Sequence, residues 1–351
     1  MPEGKTKVYL DSNVVIEAGK PPGGPLFERL ADLVEADLIE VITTDLTIAE
    51  VAKRHTINDY DAIKDIAKPH FRRLYEEHIG GELPQVTREA IRDSISQKYK
   101  DSVSAMFDGL GAKVLEIDDI RPSTVFTSYA EGSGFFSADG KKNQFPDAFI
   151  FECLKSEATA DSPVIIVSKD GDFSHPVQSE DHISLVSSIP ELFQTLGLQV
   201  EAPEIEGFLE ENEAYLLDKV DSELNDWWLV VSDVEDGEIE EISVKNVEPV
   251  DLISFGSAEE GGDILIVGGM NIVASVTYSH PNWDEAMWDS EDKVLIPFES
   301  VSGVTEIELQ ADFSMSIAVD ETGKATEIEL FRFRNDKFVH VDLYPAFDPY
   351  M

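Results

Sequence analysis

Acids occupy 71 of the 351 positions, so a carboxylate carries information here only where its surroundings make a charge costly. Asp11 ends the apolar run Val8-Tyr9-Leu10 and is followed by Ser12-Asn13. Glu50 lies among small and apolar neighbours in Thr47-Ile48-Ala49-Glu50-Val51-Ala52. Asp147 follows Phe145-Pro146 and precedes Ala148-Phe149-Ile150-Phe151. Asp170 closes Val164-Ile165-Ile166-Val167-Ser168-Lys169, and Asp172 follows after Gly171. Gathered at one place, such carboxylates repel one another unless cations lie between them. Hard divalent ions with oxygen ligands, Mg²⁺ or Mn²⁺, are the natural partners. A pair of them lowers the pKa of a water and clamps a phosphodiester for in-line attack. The chemistry expected is metal-assisted phosphodiester hydrolysis.

Each position also has a plainer reading. Asp and Ser at 11 and 12 suit a turn or a helix cap. Glu50 could be an exposed point on an amphipathic helix. Asp147, just after a proline, suits the first turn of a helix and its dipole. A calcium loop at Asp170 is excluded, because His175 stands where the sharp-turn glycine belongs and no glutamate closes the loop.

The elements that must position these acids can be read from the apolar pattern. Strand-like runs cover 7–10, 38–42, 113–117, 164–167 and 182–186, with helical patterns at about 24–36, 45–80, 84–109 and 147–157. Strands alternating with helices predict a parallel sheet covered on both faces, an α/β arrangement. Such sheets carry their functional groups outside the carboxyl ends of the strands. Asp11 and Asp170 both stand at such ends.

Texture changes after residue 200. Short alternating runs at 227–234, 238–247, 263–267, 271–278, 293–298, 313–319, 325–333 and 337–343 predict a mainly antiparallel β-domain, a sandwich or barrel. Asp236-Gly237, Gly268-Gly269, Gly323 and Asn335-Asp336 supply its turns, and Trp227-Trp228 its core anchor. The expected division is a first domain over 1–200, an acidic linker over 201–214, and an acidic β-rich domain over 215–351.

In order, Val8-Tyr9-Leu10-Asp11-Ser12-Asn13, Ile48-Ala49-Glu50-Val51, Phe145-Pro146-Asp147-Ala148 and Val167-Ser168-Lys169-Asp170-Gly171-Asp172-Phe173 resemble the four signature blocks of PIN-domain nucleases. The resemblance covers about residues 5–190. The long stretch from Lys53 to Ser137 resembles a larger PIN-like subgroup with a helical insertion. The resemblance implies a Rossmann-like fold and metal-dependent ribonuclease activity, with toxin or defence roles among bacterial members. It also implies that Asp11, Glu50, Asp147 and Asp170 are catalytic and hold Mg²⁺ or Mn²⁺, with Asp172 as an accessory acid. Asn13 and Ser168 become the polar groups that orient Asp11.

Composition sets further limits. The net charge of −44 rules out a basic nucleic-acid coat protein and a polybasic membrane binder. Residues 1–200 carry −14 and residues 201–351 carry −30. A phosphate backbone needs a local reversal of sign. Lys53 and Arg54 after Glu50, with Lys64, Lys68, Arg72 and Arg73 beyond, offer one. Lys141, Lys142 and Asn143 before Asp147 offer another. No apolar run is long enough to span a bilayer, no signal peptide is evident, and Cys153 is the only cysteine. A cytoplasmic location is expected.

Two functions are carried forward. The first is a metal-dependent endoribonuclease acting on RNA, single-stranded RNA above all, by two-metal hydrolysis, with the acidic β-domain regulatory. The second is a PIN-like binding scaffold without turnover, whose β-domain mimics nucleic acid or recruits a protein partner. Homo-oligomerisation is left open. A haloacid-dehalogenase-like phosphatase is disfavoured, because Asn13 stands where its second acid belongs.

Overall fold

The computed structural model describes residues 4–20, 22–137, 144–201, 205–257, 262–289, 293–320, 322–334 and 338–344. The chain forms two compact units, residues 1–198 and 199–351.

The first unit is built on five parallel strands, β1 (Thr6–Leu10), β2 (Ile39–Thr44), β3 (Lys113–Leu115), β4 (Val164–Val167) and β5 (Ile183–Val186), in the order β3-β2-β1-β4-β5. Val8, Tyr9 and Leu10 are fully buried, as are all four residues of β4 within a few per cent. Burial on both faces is why these strands read as continuous apolar runs rather than alternating ones. The order reverses between β1 and β4, which makes their carboxyl ends the topological switch point of the sheet.

Helices α1 (Ser12–Glu17), α2 (Pro25–Glu35), α3 (Asp45–Ile63), α4 (Pro69–His78), α5 (Arg88–Gly109), α6 (Pro122–Glu131), α7 (Phe145–Glu157), α8 (Ser174–Val177) and α9 (Ile189–Thr195) complete the unit. Two expectations are corrected. The pattern over 45–80 is not one helix, because Pro69 forces a break and a 3₁₀ turn at Lys64–Ala67 separates α3 from α4. The helix α6 is additional to those the pattern predicted. The insertion is thus α4, α5 and α6. Cys153 is a buried free thiol on α7, pushed up to about 11 mainly by burial.

In the second unit, β6 (Gln199–Val200) is followed by α10 (Ile205–Glu211) and α11 (Glu213–Leu224). The strands are β7 (Trp228–Val231), β8 (Glu238–Phe255), β9 (Ile264–Pro281), β10 (Met287–Asp289), β11 (Val294–Ile296), β12 (Ser300–Val319), β13 (Ala325–Phe333) and β14 (Phe338–Val341). The main sheet is antiparallel in the order β13-β12-β9-β8-β6, with β7 pairing β14 in parallel and β10 pairing β11. It is an open sheet with β13 and β6 at its edges, so no barrel closes among the described residues. Ile205, Phe208 and Leu209 of α10 and Leu216, Val220 and Leu224 of α11 join the sheet residues and Trp227 in one apolar core. The expected linker therefore contributes to that core through α10. The turn expected at Gly268-Gly269 is also corrected. Both glycines run straight through β9, and a Cβ on Gly268 would stand 2.8 Å from Leu252 Cδ2 and 2.8 Å from the Val250 carbonyl oxygen. They are small because β8 passes close over them, with irregular register there. Asn335-Asp336 lies outside the described residues.

Candidate active site

Asp11 follows β1 directly and N-caps α1, its backbone N–H donating to the Val167 carbonyl at the end of β4 (3.0 Å). Its carboxylate is 5% exposed and accepts three hydrogen bonds: from the Ser12 N–H (2.7 Å), Asn13 Nδ2 (2.8 Å) and Ser168 Oγ (2.5 Å). Asn13 Nδ2 also reaches Ser168 Oγ (3.2 Å), and the Ser168 Oγ accepts the Asp170 N–H (3.0 Å). Asp170 in turn accepts the Asp172 N–H (3.0 Å). One short network thus joins the ends of β1 and β4, and Asn13 and Ser168 occupy its centre. Asp170 is exposed and Asp172 half-buried.

Glu50 stands on α3, partly buried. That helix starts here because the Thr44 side chain, at the end of β2, accepts the Thr47 N–H. Asp147 lies in the first turn of α7, where Pro146 opens the helix. It too is partly buried.

Electrostatics tie these acids together across four segments of chain. Asp147 is pushed up to about 7, first by burial, then by Asp11, Glu50, Asp170 and Asp172. Glu50 is raised by burial and by Asp11, against a hydrogen bond from the Ser12 side chain and the charge of Lys53. Asp11 is raised by burial despite the opposing hydrogen bond from Ser168, with Asp170 adding to the rise. These are the signs of anions sharing a confined volume, the setting in which functional acids have shifted pKa values.

Among the described residues, no three His, Cys, Asp or Glu side chains close into a ready-made metal cage. The set is looser than a formed coordination shell. Its donors are nevertheless all hard carboxylate oxygens, three of them, on Asp11, Glu50 and Asp147, raised by burial and then by the charge of their neighbours, and that donor chemistry fits Mg²⁺ or Mn²⁺. Asp11, Glu50, Asp147 and Asp170 are the residues that could hold such an ion, with Asp172 behind them.

Of the expected cationic groups, Lys53 and Arg54 are exposed on α3. Lys64 and Lys68 are engaged with Asp61 and Asp65, Arg73 approaches Glu77, and Arg72 donates to the carbonyls of Ile66 and Ala67. Lys141, Lys142 and Asn143 lie outside the described residues.

Two groups at the site were not singled out by sequence reasoning. The Ser12 hydroxyl offsets part of the rise in the pKa of Glu50. Tyr9, fully buried, is bonded to Thr47 on α3 (2.8 Å between oxygens), and its phenol is raised well above its ordinary value by burial, with Asp11, Glu50 and Asp147 contributing. The available signal was a tyrosine between the aliphatic Val8 and Leu10 of β1.

Residues 8–173 match the family model described as PIN domain. No curated protein and no solved structure matches the chain. The first unit therefore carries a PIN domain, a nuclease-type α/β fold. The match does not extend into the second unit.

Proposed function

We propose that the protein is a divalent-ion-dependent endoribonuclease whose site is formed by Asp11, Glu50, Asp147 and Asp170. The observation that carries this reading is the electrostatic coupling of those acids around the β1/β4 switch point of a PIN domain. When bound, Mg²⁺ or Mn²⁺, one ion or a pair, would activate water and stabilise charge on the phosphodiester. The chain's own residues do the rest. Ser168 and Asn13 hold one oxygen of Asp11 and fix its direction, the Ser12 N–H holds the other, and the Ser12 hydroxyl favours the charged form of Glu50. Asp172 adds negative charge behind Asp147 and Asp170.

Lys53 and Arg54, exposed on α3, supply local positive charge that an RNA backbone needs against a chain of −44, and Lys141, Lys142 and Asn143 are the further candidates that the sequence offers. Single-stranded RNA fits best, because its backbone can bend to reach a recessed set of carboxylates. The acidic second unit, at −30, is assigned a regulatory role, through mimicry of nucleic acid or recruitment of a protein partner.

The test is cleavage of single-stranded RNA in Mn²⁺ by wild type and Asp11→Asn. Loss of cleavage in the variant, with an unchanged fold, supports the reading; equal cleavage by both ends it.

A further inference from the structure

Tyr9 makes a contact that a filler of the core would not need. Its neighbours on β1, Val8 and Leu10, are aliphatic, and all three residues are 0% exposed. Its ring packs in a cluster with Ile42, Phe135, Ala148, Phe151 and Phe173. A phenylalanine would pack there equally well. The hydroxyl instead meets Thr47 Oγ1 at 2.8 Å, and Thr47 Oγ1 meets Thr44 Oγ1 at 2.8 Å. Thr44 ends β2 and caps α3, while Thr47 lies in the first turn of α3. This buried chain of three hydroxyls therefore joins β1, the end of β2 and α3.

The position of the chain along those elements matters. Tyr9 lies on β1 two residues before Asp11, which follows the strand directly. Thr47 precedes Glu50 by three, so both lie on one side of α3, one turn apart. Phe173 and Ala148, members of the same apolar cluster as Tyr9, are direct chain neighbours of Asp172 and Asp147. Asp11, Glu50 and Asp147 all act electrostatically on the phenol. Tyr9 thus bonds the helix that carries Glu50, sits two residues before Asp11, and shares one apolar cluster with residues next to Asp147 and Asp172.

We infer that Tyr9 is a positioning residue, whose hydrogen bond to Thr47 sets the rotation of α3 and so the separation of Glu50 from Asp11. This rests on the nuclease reading above. The bond is directional, whereas the apolar contacts around it are not. Without it α3 stays packed but is free to turn by a small angle, and a carboxylate one turn further on moves with it. The energetics follow those of groups that orient ligands from behind, where removal costs about 10–100-fold in metal affinity or activity.

The experiment compares wild type, Tyr9→Phe, Thr47→Val and the double variant. Three quantities are measured: Mn²⁺ affinity by calorimetric titration, kcat and KM on single-stranded RNA, and thermal midpoint without metal. Each single variant should weaken Mn²⁺ binding and lower kcat roughly 10-fold or more, with KM for RNA unchanged. The double variant should be no worse than Thr47→Val alone, because Thr47→Val already removes the bond to Tyr9 along with that to Thr44. If wild type binds Mn²⁺ and cleaves RNA while both single variants match it and only their midpoints fall, Tyr9 is merely structural and the inference is overturned. If wild type does neither, the nuclease reading falls and this inference falls with it. Thr47→Val keeps the test decisive should Tyr9→Phe not fold.

Discussion

Ser168 Oγ donates to Asp11 Oδ2 at 2.5 Å across 157 residues of chain, and both groups are buried. The bond fixes the one carboxylate whose charge helps to raise both Glu50 and Asp147. Ser168→Ala should leave the fold intact and lower Mn²⁺ affinity and RNA cleavage about 10–100-fold. Calorimetry and initial rates check this. An unchanged rate would show that Asp11 needs no orientation from β4.

Stability should fall in mild acid because of His55. This imidazole is 1% exposed, neither ring nitrogen has a hydrogen-bond partner among the described residues, and burial lowers its pKa from 6.5 to about 4. Lys20 deepens the shift and Asp59 opposes it; the Tyr99 ring packs 5.1 Å away. The unfolded chain takes up its proton near pH 6.5, the folded one only near pH 4. Stability present above 6.5 is thus lost as pH falls towards 4, by at most about 1.4 kcal/mol per pH unit for one proton. Asp59, itself lowered, adds a loss of the same sign at lower pH. Urea midpoints from pH 7 to 4 should show this slope in wild type and a flatter one in His55→Phe.

The second unit should respond to Gly268→Ala alone. The new methyl would meet Leu252 and the Val250 carbonyl at 2.8 Å, inside any ordinary contact distance. A loss of about 1–3 kcal/mol is expected for overpacking of this kind. Each unit has its own apolar core. Differential scanning calorimetry should therefore show one transition lowered and the other kept, and a cleavage assay should show the RNA cleavage proposed for the first unit unchanged.

The parallel sheet was legible because strands buried on both faces cannot hide: β4 matches its apolar run residue for residue. The strand-end acids were legible for the same reason, since an acid stands out against such a run. What was lost had weak local signals. In α6, Pro-Ser-Thr-Val-Phe-Thr-Ser-Tyr-Ala-Glu is rich in β-branched and hydroxyl residues and buries only Val125. In α10, Ile205, Phe208 and Leu209 do have helical spacing, but over seven residues an acidic background masks it. Gly268-Gly269 looked like a turn because a glycine pair serves equally for a turn and for close strand packing. The bond between Tyr9 and Thr47 had no local signal at all, as it exists only once β1 and α3 are adjacent.

The account stands on Asp11, Glu50, Asp147 and Asp170 sharing one bound cation, and Asp147→Asn tests that most directly. Removing one of several crowded anions relieves repulsion, so the variant should melt at or above the wild-type temperature without metal. Mn²⁺ should raise the wild-type melting temperature in a saturable way and leave that of the variant nearly unchanged. Equal Mn²⁺ stabilisation of both proteins, or none in wild type, would contradict a shared ion at this site.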